Sequence, residues 1–286
     1  MKLSKVLLSL LVVLIVVFMP RLSVSKDSSQ ETIVLSNDNT LVLNSEVNGE
    51  SVSAIIAKAK ELDNKLNSGL RIHRNAPLYL FLNTPGGSVQ SGLELIEALQ
   101  GIGRPVHTIT LFAASMGFQI AENLNDRLIL KNGVLMSHHA AGEFAGQFGG
   151  IHPSQLDNRY QLWLDRVEEL DRQTAKRTNG KKTYEEYIKQ YDSEMWLTGT
   201  KSVAQGYADR IVHVKCDSSL SGTTTSHINF LGLDVSFELD RCPINTGPMK
   251  AQINLKPTQT ITPEMEAKVK AEFLDSFNNK QKLIAP

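Results

Sequence analysis

Residues 77–124 constrain the fold more than any other stretch. After Pro77, LYLFLN is an apolar run with the length and composition of a strand buried on both faces, and it breaks at Asn83-Thr84-Pro85-Gly86-Gly87-Ser88. A helical pattern follows through Leu93, Ile96, Leu99 and Ile102, stops at Gly103–Pro105, and gives way to a second strand, Val106–Phe112. This β-turn-α-β unit runs straight into a second strand-to-helix turn, at Ser115, with a short helix reaching Leu124. A serine there has two readings. It can be the N-cap of a helix, or a nucleophile whose neighbours Ala113, Ala114 and Gly117 leave room for a substrate beside the unpaired N–H groups of the helix start.

Other segments extend the pattern. Ile33–Leu35 and Leu41–Leu43 predict a hairpin around Asn37-Asp38-Asn39, and Glu50–Leu66 predicts an amphipathic helix. Arg127–Leu130 and Val134–Ser137 predict two strands around a Lys131-Asn132-Gly133 turn. Beyond a loop at Gly142–Gly150, Pro153 opens a long helix with Leu156, Tyr160, Trp163, Val167, Leu170 and Thr174 on one face and charges on the other, closing at Asn179-Gly180. Thr183 and Glu186 form a capping box, a short helix stops at Gly206, and Ile211–Val214 is a strand. Strands alternating with helices at this spacing imply an α/β fold with a largely parallel sheet over residues 31–214. Residues 215–286 read as a small appendage: a strand pair flanking Gly232, a polar extended segment over 246–260, and a helix starting at Thr262-Pro263-Glu264.

Lys+Arg and Asp+Glu number 30 each, which excludes a general basic field for nucleic acid. Residues 1–25 stand apart. Lys2 and Lys5 precede an aliphatic run ending at Pro20, and Ser23-Val24-Ser25 supplies small residues for cleavage. The segment is a secretory signal or an uncleaved anchor that holds residues 6–20 at a membrane, and either places the main domain outside the cytoplasm, periplasmic or secreted. The two cysteines, Cys216 and Cys242, both lie in the last quarter of the chain. In an exported protein they can pair as a disulfide, and unpaired thiols are the alternative.

Serine chemistry needs a base and a group to orient it. His138-His139 directly follows a strand, at the sheet end where catalytic groups of α/β folds gather, although most histidines are structural. The acids nearest in pattern are Asp192 and Glu194 in YDSEMWLT, which can equally be solvated surface carboxylates. The Pro85-Gly86-Gly87 turn is either a plain turn or a donor of backbone N–H to an oxyanion, with Met116 N–H as the second donor.

Four separated motifs, NTPGGSVQSGLELIEAL, FAASMG, LMSHH and WLTGTKSVAQGYADRIV, together resemble the Clp protease proteolytic subunit family over about residues 31–214. The resemblance implies a crotonase-like spiral of β-β-α units and a serine endopeptidase needing no cofactor or metal. It makes Ser115 the nucleophile, His138 the base, and Gly87 and Met116 the oxyanion donors. The family's acid falls on Glu194, where an aspartate is usual, and Asp192 is the reserve. His139 and Ala140 replace the family's usual Gln and Pro. Residues 142–150 and 153–179 would match the handle that packs subunits into rings, so a homo-oligomer acting on short or unfolded polypeptides is expected. Two rivals are a membrane-associated signal peptide peptidase-like enzyme with a Ser-Lys dyad through Lys131, and a catalytically silent subunit of a protease ring.

Overall fold

The computed structural model describes residues 30–68, 75–140, 153–230, 233–245, 248–254, 262–264, 267, 268 and 271. The signal or anchor expected over residues 1–25, the loop 142–150 and most of the terminal helix lie outside them. The chain divides into Met1–Gln30 and Glu31–Pro286, and the description below concerns the second unit. Among the described residues no helix is long and apolar enough to cross a membrane, and no group of His, Cys, Asp and Glu is arranged to hold a metal.

The sheet is built from β1 (Thr32–Leu35), β2 (Thr40–Leu43), β3 (Leu78–Thr84), β4 (Val106–Ala114), β5 (Arg127–Ser137), β6 (Met195–Thr198) and β7 (Arg210–Cys216). Its order is β1-β7-β5-β4-β3-β2, parallel throughout, and β6 adds antiparallel to the end of β5. Six helices accompany it among the described residues: α1 (Gly49–Ser68), α2 (Val89–Gln100), α3 (Met116–Asn123), α4 (Pro153–Arg177), α5 (Tyr184–Tyr191) and α6 (Gly199–Gln205). The architecture is the expected α/β spiral with a mostly parallel sheet.

The expected hairpin of β1 and β2 does not form. The strands stand at opposite ends of the sheet order, yet only Ser36–Asn39 join them. A flat sheet of six strands would set its edges roughly 24 Å apart, whereas the five steps from Leu35 to Thr40 span at most about 18 Å. The sheet therefore curls until its ends meet. The core shows the same curl. Ile33 and Leu35 of β1 share an inner cluster with Phe81, Ile109, Leu128 and Val212 from four other strands, while Leu78, Leu80 and Leu82 of β3 face the outer cluster under the helices. Two four-residue strands in an isolated hairpin would be marginal, whereas each gains one parallel partner in the spiral, β1 on β7 and β2 on β3, and turns Ile33, Leu35, Leu41 and Leu43 into the core.

The expected break at Lys131-Asn132-Gly133 is a bulge within one strand. β5 stays paired to β4 on both sides of it, with the register slipping between Ile129 and Val134. A side chain on Gly133 would strike the Thr110 carbonyl at 2.6 Å, so the bulge needs glycine where it crosses β4.

Past β7 the chain forms a separate antiparallel sheet of β8 (Thr223–Phe230), β9 (Leu233–Asp240) and β10 (Pro248–Asn254). The strand pair around Gly232 is as expected, and the polar segment after it supplies the third strand. Helical conformation appears at Pro263, Glu264, Ala267, Lys268 and Ala271. This appendage is tied to the spiral. Leu220 joins the inner core, Asn37 donates to the Ser219 carbonyl, and Cys216 is disulfide-bonded to Cys242 at a Cα–Cα distance of 5.9 Å. Closing a separation of 26 residues contributes about 3 kcal/mol by restricting the unfolded chain. Replacing both cysteines by serine is expected to lower stability by that order in denaturant titration, and dithiothreitol should have a matching effect on the wild type but none on the variant.

Candidate active site

Ser115 lies where β4 ends and α3 begins, in a conformation that L-residues rarely adopt. Its φ is 54° and its ψ −122°. The position is fixed from three sides. Its N–H donates to the Met136 carbonyl of β5, its carbonyl accepts from Phe118 and Gln119 as the first turn of α3, and Gly86 is packed against it so closely that an added Cβ would meet Ser115 Cβ at 2.7 Å. Such strain persists only where the surroundings hold it. The N-cap reading is settled by the hydroxyl, which makes no capping hydrogen bond.

The hydroxyl instead meets His138. Oγ and His138 Nε2 are 2.8 Å apart, and both residues are half-buried. For the serine to donate, the imidazole proton must sit on Nδ1, the tautomer a general base needs. His138 follows directly after β5, so the strand that receives the Ser115 N–H also delivers the histidine.

The two glycines of the upstream turn have distinct tasks. Gly86, at φ 93°, makes room for the elbow. Gly87, at φ 142°, is held by Val47: Val47 N–H donates to the Gly86 carbonyl and its own carbonyl accepts from Ser88 N–H. In such a parallel bridge the neighbours of Gly87 face Val47, so the N–H of Gly87 is directed to the opposite side. Met116 is the first residue of α3, and its N–H belongs to the set a helix cannot satisfy internally. Its side chain fills the space over Gly92 of α2. Among the described residues neither N–H has a backbone acceptor.

A cavity of about 110 Å³ adjoins these groups, lined in part by Gly87, Met116, Ser115 and His138 with Val89 from α2. The other wall is one face of α4, anchored where Thr174 donates to Gln119 Oε1 of α3. Lys131 is exposed in the β5 bulge and does not line this cavity.

The carboxylates are placed by β6. Ser137 pairs with Met195, and one further step in this antiparallel register sets His138 across from Glu194. Glu194 has φ 73° and accepts a hydrogen bond from Trp196 Nε1 at 3.1 Å, whereas Asp192 meets His139 at 3.1 Å with both groups exposed. Among the described residues the second nitrogen of His138 has no hydrogen-bond partner.

Behind the site lies a polar cluster that the sequence did not reveal. Arg127, at the start of β5, donates to Glu122 of α3 at 2.7 Å, to Asp209 at 2.6 Å and to the Gly206 carbonyl at 2.8 Å. Complete burial pushes the Glu122 carboxyl up to about 8, against the pull of Arg127. Asp209 remains partly exposed, and its bonds to Arg127 hold it below the usual carboxylate range although burial acts in the other direction. The cluster clamps the far end of the nucleophile helix to the strand that carries His138.

Residues 24–215 match the family model described as Clp protease. The chain is 29% identical over 181 residues to the ATP-dependent Clp protease proteolytic subunit of Streptococcus pyogenes serotype M5 (strain Manfredo), a match covering 62% of this chain and 86% of the relative. The proteins of the same name from Streptococcus pyogenes serotype M49 (strain NZ131) and Streptococcus equi subsp. equi (strain 4047) match to the same extent. With a glycine turn, a strained serine and a histidine brought to one end of a coiled parallel sheet, and with two thirds of its length matched, this chain belongs to the Clp protease family of serine peptidases.

Proposed function

We propose that this serine endopeptidase works outside the cytoplasm, as a homo-oligomer, on short or unfolded polypeptides, through Ser115, His138 and Glu194. The observation that carries the catalytic part is the 2.8 Å contact between a serine hydroxyl unused for capping and His138 Nε2. Ser115 Oγ attacks the peptide carbonyl as His138 takes its proton, and the oxyanion is received by the Gly87 and Met116 N–H groups. His138 then protonates the leaving amine. Water deacylates the serine by the reverse route, with His138 again as base. An extended peptide bound along Gly87 would present its carbonyl in line with both donors.

Glu194 is the acid in this reading because the β5–β6 register sets it opposite His138, and it reaches the imidazole by leaving the Trp196 indole. Glu194→Gln is expected to lower kcat by about 10³ to 10⁴, while Asp192→Asn stays within about threefold of wild type. Steady-state peptide hydrolysis checks both, and equal losses in the two variants would discard the assignment.

The exported location is supported by the Cys216–Cys242 disulfide, a bond of oxidising compartments, and by the signal-like residues 1–25. ATP is normally absent there, so the enzyme acts without an ATP-driven partner, unlike its ATP-dependent streptococcal relatives. Exposed Tyr160 and Leu162 on α4 support that helix as a face between subunits. The deciding experiment is labelling with a fluorophosphonate, with mass-spectrometric mapping of the modified residue and of the mature N-terminus. Modification at Ser115 is expected, on a chain beginning near Lys26. An unlabelled, folded protein would instead be a silent ring subunit.

A further inference from the structure

The carboxylate assigned to the triad is held by a second partner. In the β5–β6 pairing Met136 stands opposite Trp196 and Ser137 opposite Met195, and one further step of the register sets His138 across from Glu194. Residues opposite one another in an antiparallel pair share a face, and successive residues alternate between faces. Ser137 and Met195 are accordingly turned inward, each 3% exposed, while Met136, His138, Glu194 and Trp196 share the outer face. On that face the Glu194 carboxylate has two N–H donors to choose between, the imidazole across the strands and the indole two residues along its own. It takes the indole. Trp196 Nε1 donates to Glu194 Oε2 at 3.1 Å, and among the described residues His138 has a hydrogen bond only at Nε2. The indole is placed independently of Glu194, because its ring lies beside Phe112 of β4 with centroids 6.4 Å apart.

We propose that the Trp196 indole is a latch on the catalytic acid: it competes with His138 for Glu194 and holds the resting enzyme below its full activity. Trp196 is in this sense a positioning residue that acts through Glu194, and the inference rests on Glu194 being the acid of the triad. The imidazole draws the carboxylate most strongly once it has taken the Ser115 proton, so the latch opens as charge develops on His138. Each opening breaks a hydrogen bond to a charged group, and the fraction of molecules in which Glu194 is already free of the indole scales the rate. Because Phe112 holds the ring in place, removing the indole N–H alone should release the acid without moving the strand.

The test is Trp196→Phe in the full chain, which keeps an aromatic ring beside Phe112 and removes the donor. Both kcat for peptide hydrolysis and the rate of fluorophosphonate labelling at Ser115 are expected to rise by about two- to fivefold, with KM unchanged. In a Glu194→Gln background the same substitution should change neither, because no acid remains to be released. A folded Trp196→Phe that is no faster than wild type overturns the latch, and so does a gain that persists in the Glu194→Gln background. Wild-type protein labelled with 15N-tryptophan supplies a reading that needs no variant. When a peptide boronate takes Ser115 Oγ onto boron and the hydroxyl proton passes to His138, the Trp196 indole N–H should lose its acceptor and its resonance move upfield; an unmoved resonance with Ser115 blocked overturns the latch. Wild-type activity in Glu194→Gln would remove acid and latch together, whereas a slow Glu194→Gln beside an unimproved Trp196→Phe discards the latch alone and leaves the acid standing.

Discussion

Ser115→Ala is expected to reduce peptide hydrolysis by about 10⁴- to 10⁶-fold without unfolding the protein. The size follows from the loss of the atom that forms the acyl bond, since His138 and the oxyanion donors cannot replace it. Retained stability follows from the hydroxyl capping nothing: among the described residues its hydrogen bond is to His138. Ser115→Gly sharpens the test. At φ 54° a serine is strained and a glycine is not, so this inactive variant should be more stable than wild type by about 1 kcal/mol. Thermal unfolding measured beside fluorophosphonate labelling would show activity and stability moving in opposite directions. Hydrolysis at wild-type rates by folded Ser115→Ala would end the nucleophile assignment.

Arg127→Ala is expected to cost about 3 to 5 kcal/mol, the largest effect on stability of any single substitution considered. It strands Glu122 and removes the bonds to Asp209 and Gly206. Glu122 also gives the protein a pH signature. Its carboxyl binds its proton more tightly in the folded state than in the unfolded chain, so its contribution is complete below about 4.5 and is lost as pH rises toward about 8. Asp209, held low, acts in the opposite sense and loses its contribution only as pH falls into the acidic range below that of an ordinary aspartate. Denaturation at fixed temperature from pH 5 to 8 should therefore show wild-type stability declining, by at most about 1.4 kcal/mol per pH unit, while Glu122→Gln is flatter. Parallel profiles for the two proteins would mean that Glu122 stays ionised beside Arg127.

The catalytic strand-turn-helix units were legible because their signals are local: apolar runs, paired glycines and a capping box all act within a few residues. The hairpin expected of β1 and β2 went astray for the same reason. Asn37-Asp38-Asn39 is a good turn, but which strands pair across it depends on β7 and β3, distant in sequence. Lys131-Asn132-Gly133 likewise looks like a turn from within, and only the shared partner β4 keeps both halves in one strand. Asp171 was grouped with the charged face of its helix, although it falls one turn after Val167 and lines the Ser115 cavity with it. Glu122 and Arg127 carried a signal that could have been read, since Glu122 is the one charged residue of α3 and Arg127 opens an apolar strand. The direction of Glu194 was beyond the sequence, because it hangs on a backbone angle of 73° that no local preference requires.

The curl of the sheet dictates the timing of folding. Thr32 pairs opposite His213, so the first strand to leave the ribosome waits for the last strand of the main sheet before it has a neighbour. Loop closure over that distance must precede any gain from the contact, which makes the final step slow and leaves β1 and half of the inner core exposed until late. A chain made amino end first thus cannot complete its first strand until that late pairing forms. Chaperone dependence should concentrate in that interval, and moving β1 to follow β7 by circular permutation should shorten it.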